Sequence, residues 1–271
     1  MTKLLDRATC SIIHSQSPLA FSTKGEGAWE VWDRYLNVNG KQAYHLGNVC
    51  GTCSFFFERM EGANEGIDVG ELTTLLSNGL NSLSPQVVDT LMQLLPPSEY
   101  IIALIRLRPE LVQLSGHNDY FAVEQLENEA VVESFGDPPH NPKVPYYRVE
   151  GRSAAKLPGD ALHGGAAFDF VVPMFPETTL QKERIAHYED ILEDGVAPTA
   201  IAISILDVKG PACSGTEHWC LAHYIIDGHH KIAAAARTHK ELTLVSFIAV
   251  NQGVSSKEQI EIAINSYNSG Q

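Results

Sequence analysis

The chain has 271 residues, with 33 acidic against 19 basic side chains and a formal charge of −14. That balance repels nucleic acid and anionic membrane surfaces, so neither is expected as a partner. Met1 to Arg7 lacks the apolar core of a signal peptide, and no uncharged apolar run is long enough to span a bilayer, so the expected location is cytoplasmic. Five cysteines, Cys10, Cys50, Cys53, Cys213 and Cys220, are too few and too unevenly spaced for a disulfide scaffold and are expected as reduced thiols or metal ligands.

Residues 1–66 carry Trp29, Trp32 and Tyr35 and then Cys50-Gly-Thr-Cys53 before Phe55-Phe-Phe57, and they are expected to be irregular with one short helix. From Asp68 the spacing of Val69, Leu72, Leu75, Leu76 and Leu80 predicts an amphipathic helix. Ser84-Pro85 supplies an N-cap and first-turn proline for a second helix, which Pro96-Pro97 ends. Tyr100 to Leu107 is a β-rich apolar run, and Glu110 to Leu114 extends it past Pro109 as a second strand. The expectation is a separate N-terminal α+β region over 1–140, a turn-rich connector over 141–167 and a second domain over 168–271.

In the second domain, Phe168 to Val172 is a short strand, and Thr178 or Thr179 is placed to cap a helix carrying Ile185, Tyr188 and Leu192 up to Asp194-Gly195. Ala200 to Leu206 is a strand, Asp207 to His218 a polar loop, and Leu221 to Ile226 another strand. Asp227-Gly228 then turns the chain into His229-His230-Lys231 and an alanine run of high helix propensity. Leu242 to Val250 is a further strand, and Ser255-Ser-Lys-Glu258 fits a capping box before a last helix.

Strand, tight turn, helix is the local architecture of an anion site: the first N–H groups of a helix have no partner within it, and the dipole is positive there. The same pattern serves equally as a glycine turn into a packing helix, so the turn is weighed with its surroundings. The helix Glu183 to Gly195 leading through Pro198 into Ile201-Ala-Ile-Ser-Ile205, the turn Ile226 to Lys231, and the returning strand Val245 to Val250 together resemble the ParB/sulfiredoxin-like superfamily over about residues 168–250.

The resemblance implies that the turn and helix start bind nucleotide phosphates. Within it His230 stands at the phosphate-contacting histidine, Lys231 where an arginine is usual, and Asp227 at the acidic residue that the free-serine-kinase branch places near a substrate hydroxyl. His229 replaces the reactive cysteine of sulfiredoxins, which removes the nucleophile of that reaction. The implied function is a nucleotide-dependent phosphotransferase acting on a small hydroxylated metabolite, with ATP or another nucleoside tri- or diphosphate and Mg²⁺ as cofactors. Gly228, His229, His230 and Lys231 would bind the nucleotide, with Asp227 and His230 as the catalytic pair. Glu183 and Glu189 are further acidic candidates, and Arg184 and Arg237 could reach an anion or form surface ion pairs. The alternative is a non-catalytic nucleotide- or zinc-dependent regulatory protein whose N-terminal region binds another protein. Zn²⁺ would be held by Cys50, Cys53, Cys213 and Cys220, with His45 and His218 in reserve; a redox-active CxxC or packed thiols are the other readings of the first pair.

Overall fold

The computed structural model describes residues 2–64, 67, 70, 72–125, 140–152, 155–157, 165–210 and 216–268. The protein is α+β, with a large mixed sheet, a smaller antiparallel sheet and five α-helices among the described residues. The smaller sheet is built from one early stretch of the chain: β2 (Leu19–Lys24), β3 (Asp33–Val38), β4 (Lys41–Asn48) and β5 (Glu58–Arg59) pair in chain order. Asn39 and Gly40 join β3 to β4 with φ of 49° and 77°, and Val38 pairs Lys41 across them. Two positive-φ residues are what a two-residue hairpin matched to strand twist requires.

The large sheet takes strands from the whole chain. β1 (Lys3–Ile12) and β6 (Ser98–Leu107) form one side, and β7 (Pro109–Leu111), β8 (Tyr147–Val149), β9 (Ala155–Leu157) and β10 (Gly165–Val172) the other. Between them lie β13 (Leu242–Ala249), β11 (Thr199–Lys209) and β12 (Glu217–Asp227). The order is β1-β6-β13-β11-β12-β10-β8-β7, with β9 also on β10. β13 is antiparallel to β6 from Leu242 opposite Leu107 to Ala249 opposite Tyr100, and parallel to β11 on its other side.

The regions expected as two units therefore share one sheet, and part of the expected connector is strand within it. Residues 2–64 are likewise about half strand rather than irregular. The polar stretch after Asp207 continues β11 as far as Lys209 before the chain re-enters the sheet at Glu217.

Central strands bury both faces. Every residue of β11 and β13 is buried, which explains their near-continuous apolar sequences. One face of the sheet, with Ile102, Leu104, Phe170, Ile203, Tyr224 and Phe247, packs against the smaller sheet, α1 (Leu72–Asn78), α2 (Pro85–Met92) and an aromatic cluster in which Phe55 and Phe170 stack at 5.0 Å. The other face, with Ala103, Ala202, Ile225, Leu244 and Ile248, packs against α3 (Lys182–Glu193), α4 (His229–Thr238) and α5 (Lys257–Asn265).

A buried ion pair ties the two sheets together. Arg34 of β3 reaches Asp207 of β11 through two hydrogen bonds of 2.9 and 2.7 Å, and Val254 N–H donates to the same carboxylate at 2.8 Å.

Two caps differ from expectation. α3 starts after Gln181, which makes no side-chain cap bond, while Thr179 lies in a preceding 3-10 turn and donates to Pro176 O. α5 does have a capping box, set one residue later than expected, between Ser256 and Gln259. Ser84 caps α2 as expected, accepting from Val87 N–H at 3.4 Å.

Candidate functional site

β12 ends at Asp227, Gly228 is the N-cap of α4 at φ +103°, and α4 begins at His229. The glycine is required twice over. Its φ lies in the left-handed region, and a Cβ there would stand 2.6 Å from Ala200 Cβ and 2.8 Å from Ala200 Cα on β11. The turn is thus pressed against the neighbouring strand, which fixes where the first N–H groups of α4 point. They open onto a pocket of about 280 Å³ lined by Ile67, Thr73, Phe175, Leu180, Arg184, Tyr188 and the turn itself, Ile226 to Lys231.

All five turn residues named from the sequence line this pocket, but their side chains have different duties. His229 is buried, its Nε2 accepts a hydrogen bond from Met174 N–H at 2.9 Å, and Phe175 packs edge-on to the ring. Burial, helped by the adjacent His230, pushes its pKa down to about 3, so the ring is neutral and its proton sits on Nδ1. It anchors the strand-to-helix turn to the segment after β10.

His230 is more open. Its Nε2 accepts from Gln181 N–H at 3.2 Å, which leaves Nδ1–H as the donor of the neutral ring. Burial first, and the charge of Arg184 second, lower its pKa, while Asp227 opposes them.

Lys231 is buried, with Nζ donating to Thr199 O at 2.8 Å and to Asp227 Oδ2 at 3.3 Å. Its ammonium is engaged by these two partners rather than free in the pocket. Asp227 is partly exposed at the pocket wall and held in that i,i+4 pair.

Arg184 lies on α3 one helical turn before Tyr188. It is exposed, lines the pocket and carries no ion pair among the described residues. Arg237 instead pairs with Glu177 at 2.6 Å, and Glu189 approaches the same guanidinium at 3.8 Å, so these two form a surface network.

Two pocket walls come from the N-terminal half, through Ile67 and Thr73. A hydrogen bond of 3.1 Å between Ser77 and the Tyr188 hydroxyl holds α1 against α3, and Leu80 N–H donates to Thr199 Oγ1 at 2.8 Å. Sequence reading left these residues out because they are far from the turn in the chain. Arg184 is among the residues named from the sequence as able to reach an anion, and it lines the pocket.

No protein-family model, curated protein or solved structure matches the chain. The site therefore rests on its own geometry.

Three of the four cysteines named as zinc ligands are among the described residues. Cys50 and Cys53 are bonded to each other, Cys220 is completely buried with its thiol 3.6 Å from the Tyr120 hydroxyl, and Cys213 lies outside the described residues. A disulfide offers no thiolate to a metal, so zinc there would require the pair to be reduced. Of the reserve ligands, His45 bonds Asp33 at 3.0 Å, and His218 Nδ1 shares a 2.8 Å hydrogen bond with the Tyr120 hydroxyl.

His223 is not among the residues lining the pocket and is buried between Ser204 at 2.8 Å and Ser246 at 3.2 Å.

Proposed function

We propose that the pocket at the start of α4 holds the phosphates of a nucleotide, and that the protein is a nucleotide-dependent phosphotransferase acting on a small hydroxylated metabolite. The observation that carries this reading is the open N-terminus of α4 facing a pocket whose rim holds Arg184. Backbone N–H groups of residues 229–231, His230 Nδ1–H and the Arg184 guanidinium form a set of donors suited to phosphate oxygens. A phosphate is large enough to occupy the 280 Å³ cavity, and the rest of a nucleotide would extend past its mouth. Mg²⁺ would bridge phosphate oxygens, with Asp227 the nearest acidic group of the turn. Asp227 is also the group placed to orient an acceptor hydroxyl. The order α3, β11, β12, Gly228, α4, β13 supports a ParB/sulfiredoxin-like arrangement of this half of the chain.

One observation favours a second reading. Asp227 is held by Lys231, so its carboxylate is already engaged within the turn rather than free to act on an acceptor hydroxyl. In that reading the site binds nucleotide as a regulatory ligand and turns over slowly or not at all.

Thermal denaturation with ATP, ADP, CTP and GTP plus Mg²⁺ tests the shared part. A ligand at a hundred times its Kd stabilises the fold by about 2.7 kcal/mol, roughly 5–10 °C for a chain of this size. Arg184→Ala and His230→Ala should each remove the shift, and Asp227→Asn should keep it while stopping turnover if Asp227 acts on the acceptor. No shift with any nucleotide at millimolar concentration overturns both readings.

A further inference from the structure

Cys50 and Cys53 lie in the loop that follows β4, with sulfurs bonded and Cα atoms 5.4 Å apart. A disulfide stabilises a fold chiefly by closing a long loop of the unfolded chain, and a sequence separation of three closes very little. The loop does not depend on it either. Lys209 Nζ donates to Cys50 O at 2.6 Å, Gly210 N–H to Gly51 O at 2.9 Å, and Asn48 Oδ1 accepts from Cys50 N–H at 3.1 Å. These bonds hold the backbone in place whether or not the sulfurs are joined, so two freed thiols would remain facing each other.

The pair is also within reach. Cys50, Gly51 and Cys53 are partly exposed and Thr52 is exposed, whereas Cys220 is sealed in the core. A bridge that adds little stability, sits at the surface and rests on a preformed loop has the attributes of reversible chemistry rather than of a staple.

We propose that Cys50 and Cys53 form a thiol–disulfide exchange site whose co-reactants are a dithiol in one direction and a low-molecular-weight disulfide in the other. In the reductive direction, a thiolate of the dithiol forms a bond to one of the two sulfurs. The Cys50–Cys53 bond breaks, and the other sulfur leaves as a thiolate and takes up a proton. The second thiol of the reductant then loses its proton and displaces the mixed disulfide, leaving two protein thiols and an oxidised reductant. Two electrons and two protons have moved to the protein. Reoxidation by glutathione disulfide reverses this and yields two glutathione molecules.

This site is independent of the phosphate pocket. It lies by Lys209, the pocket lies by Thr199, and the strand between them spans roughly 30 Å at about 3.3 Å per residue.

The test uses the whole protein, purified without reductant and incubated folded with dithiothreitol, with glutathione disulfide after that, or with neither. Each sample is then denatured and alkylated, and labels at Cys50 and Cys53 are read by peptide mass spectrometry. The expected result is no label in untreated protein, full labelling after dithiothreitol, and loss of labelling again after glutathione disulfide. The Cys50→Ser variant should trap glutathione on Cys53, and the Cys50→Ser/Cys53→Ser variant should melt within a few degrees of the parent. Two results overturn the proposal. One is a pair that reacts with dithiothreitol only after unfolding, or a double variant that does not fold, either of which makes the bond structural. The other is a pair already reduced in untreated protein and retaining zinc.

Discussion

Gly228→Ala probes the turn most directly, because the structure predicts its cost in two separable parts. The first is backbone: φ is +103°, and a left-handed conformation costs an L-residue roughly 1–2 kcal/mol. The second is space. The new methyl would overlap Ala200 at 2.6 Å and 2.8 Å, the latter to a backbone atom of a buried strand that cannot rotate aside. Overpacking of this kind costs roughly 1–3 kcal/mol. The expected total is about 2–5 kcal/mol, measured as the change in urea unfolding free energy at constant m.

Gly195→Ala is the control. Gly195 has φ +83° and nothing within 4 Å of its would-be Cβ, so it should show the backbone part alone, about 1–2 kcal/mol. Adding Ala200→Gly to Gly228→Ala removes the 2.6 Å contact but keeps the 2.8 Å one, and should recover only part of the loss. If Gly228→Ala costs no more than Gly195→Ala, the turn is not pinned against β11 and the argument for a fixed anion cradle fails.

Acid should unfold the protein through its buried histidines. Burial lowers His218 and His223 to about 4 and His229 to about 3, so each binds its proton in the unfolded chain near pH 6.5 but in the fold only at far lower pH. Their stabilising contribution is present above 6.5 and is lost as pH falls toward 4, by roughly 4 kcal/mol for the three together at pH 5.5. A stability profile that is flat from pH 7 to pH 5 would contradict these placements. Asp207→Ala leaves the buried Arg34 guanidinium without its counter-charge and should destabilise by about 3–5 kcal/mol in urea. Ser256→Ala removes one half of the α5 capping box and should cost about 1 kcal/mol, a loss that Ser255→Ala should not reproduce.

One helix start in the N-terminal half and much of the C-terminal half are readable from the sequence because these elements are strongly patterned. The Ser84-Pro85 start, the glycine after α3, the apolar runs of β11 and β13 and the turn at Asp227-Gly228 each carry a local physical signal that the fold obeys. The N-terminal half was harder for identifiable reasons. β1 is a half-exposed edge strand with a register shift between Leu4 and Asp6, so its alternation is broken where it would be sought. Asn39-Gly40 is a hairpin signal, but the register shifts at Arg34/Tyr35 and Leu36/Asn37 break the alternation of the strands it joins. That β6 would join β13 depends on pairing across some 140 residues, which no local pattern contains. At the site, the turn was legible, whereas the engagement of Lys231 by Thr199 O and the contribution of Ile67 and Thr73 emerge only from tertiary contact.

The place of β13 has a consequence for the chain as it leaves the ribosome. β6 is complete by residue 107, with β1 on one flank and an apolar edge on the other, and the strand that covers this edge is not made until residues 242–249. Over that interval of synthesis no strand pairing joins the two sides of the large sheet. The last strand to emerge is an interior one, entering between β6 and β11. Nascent chains stalled before residue 242 should therefore present β6 to chaperones, and release from them should coincide with the arrival of β13.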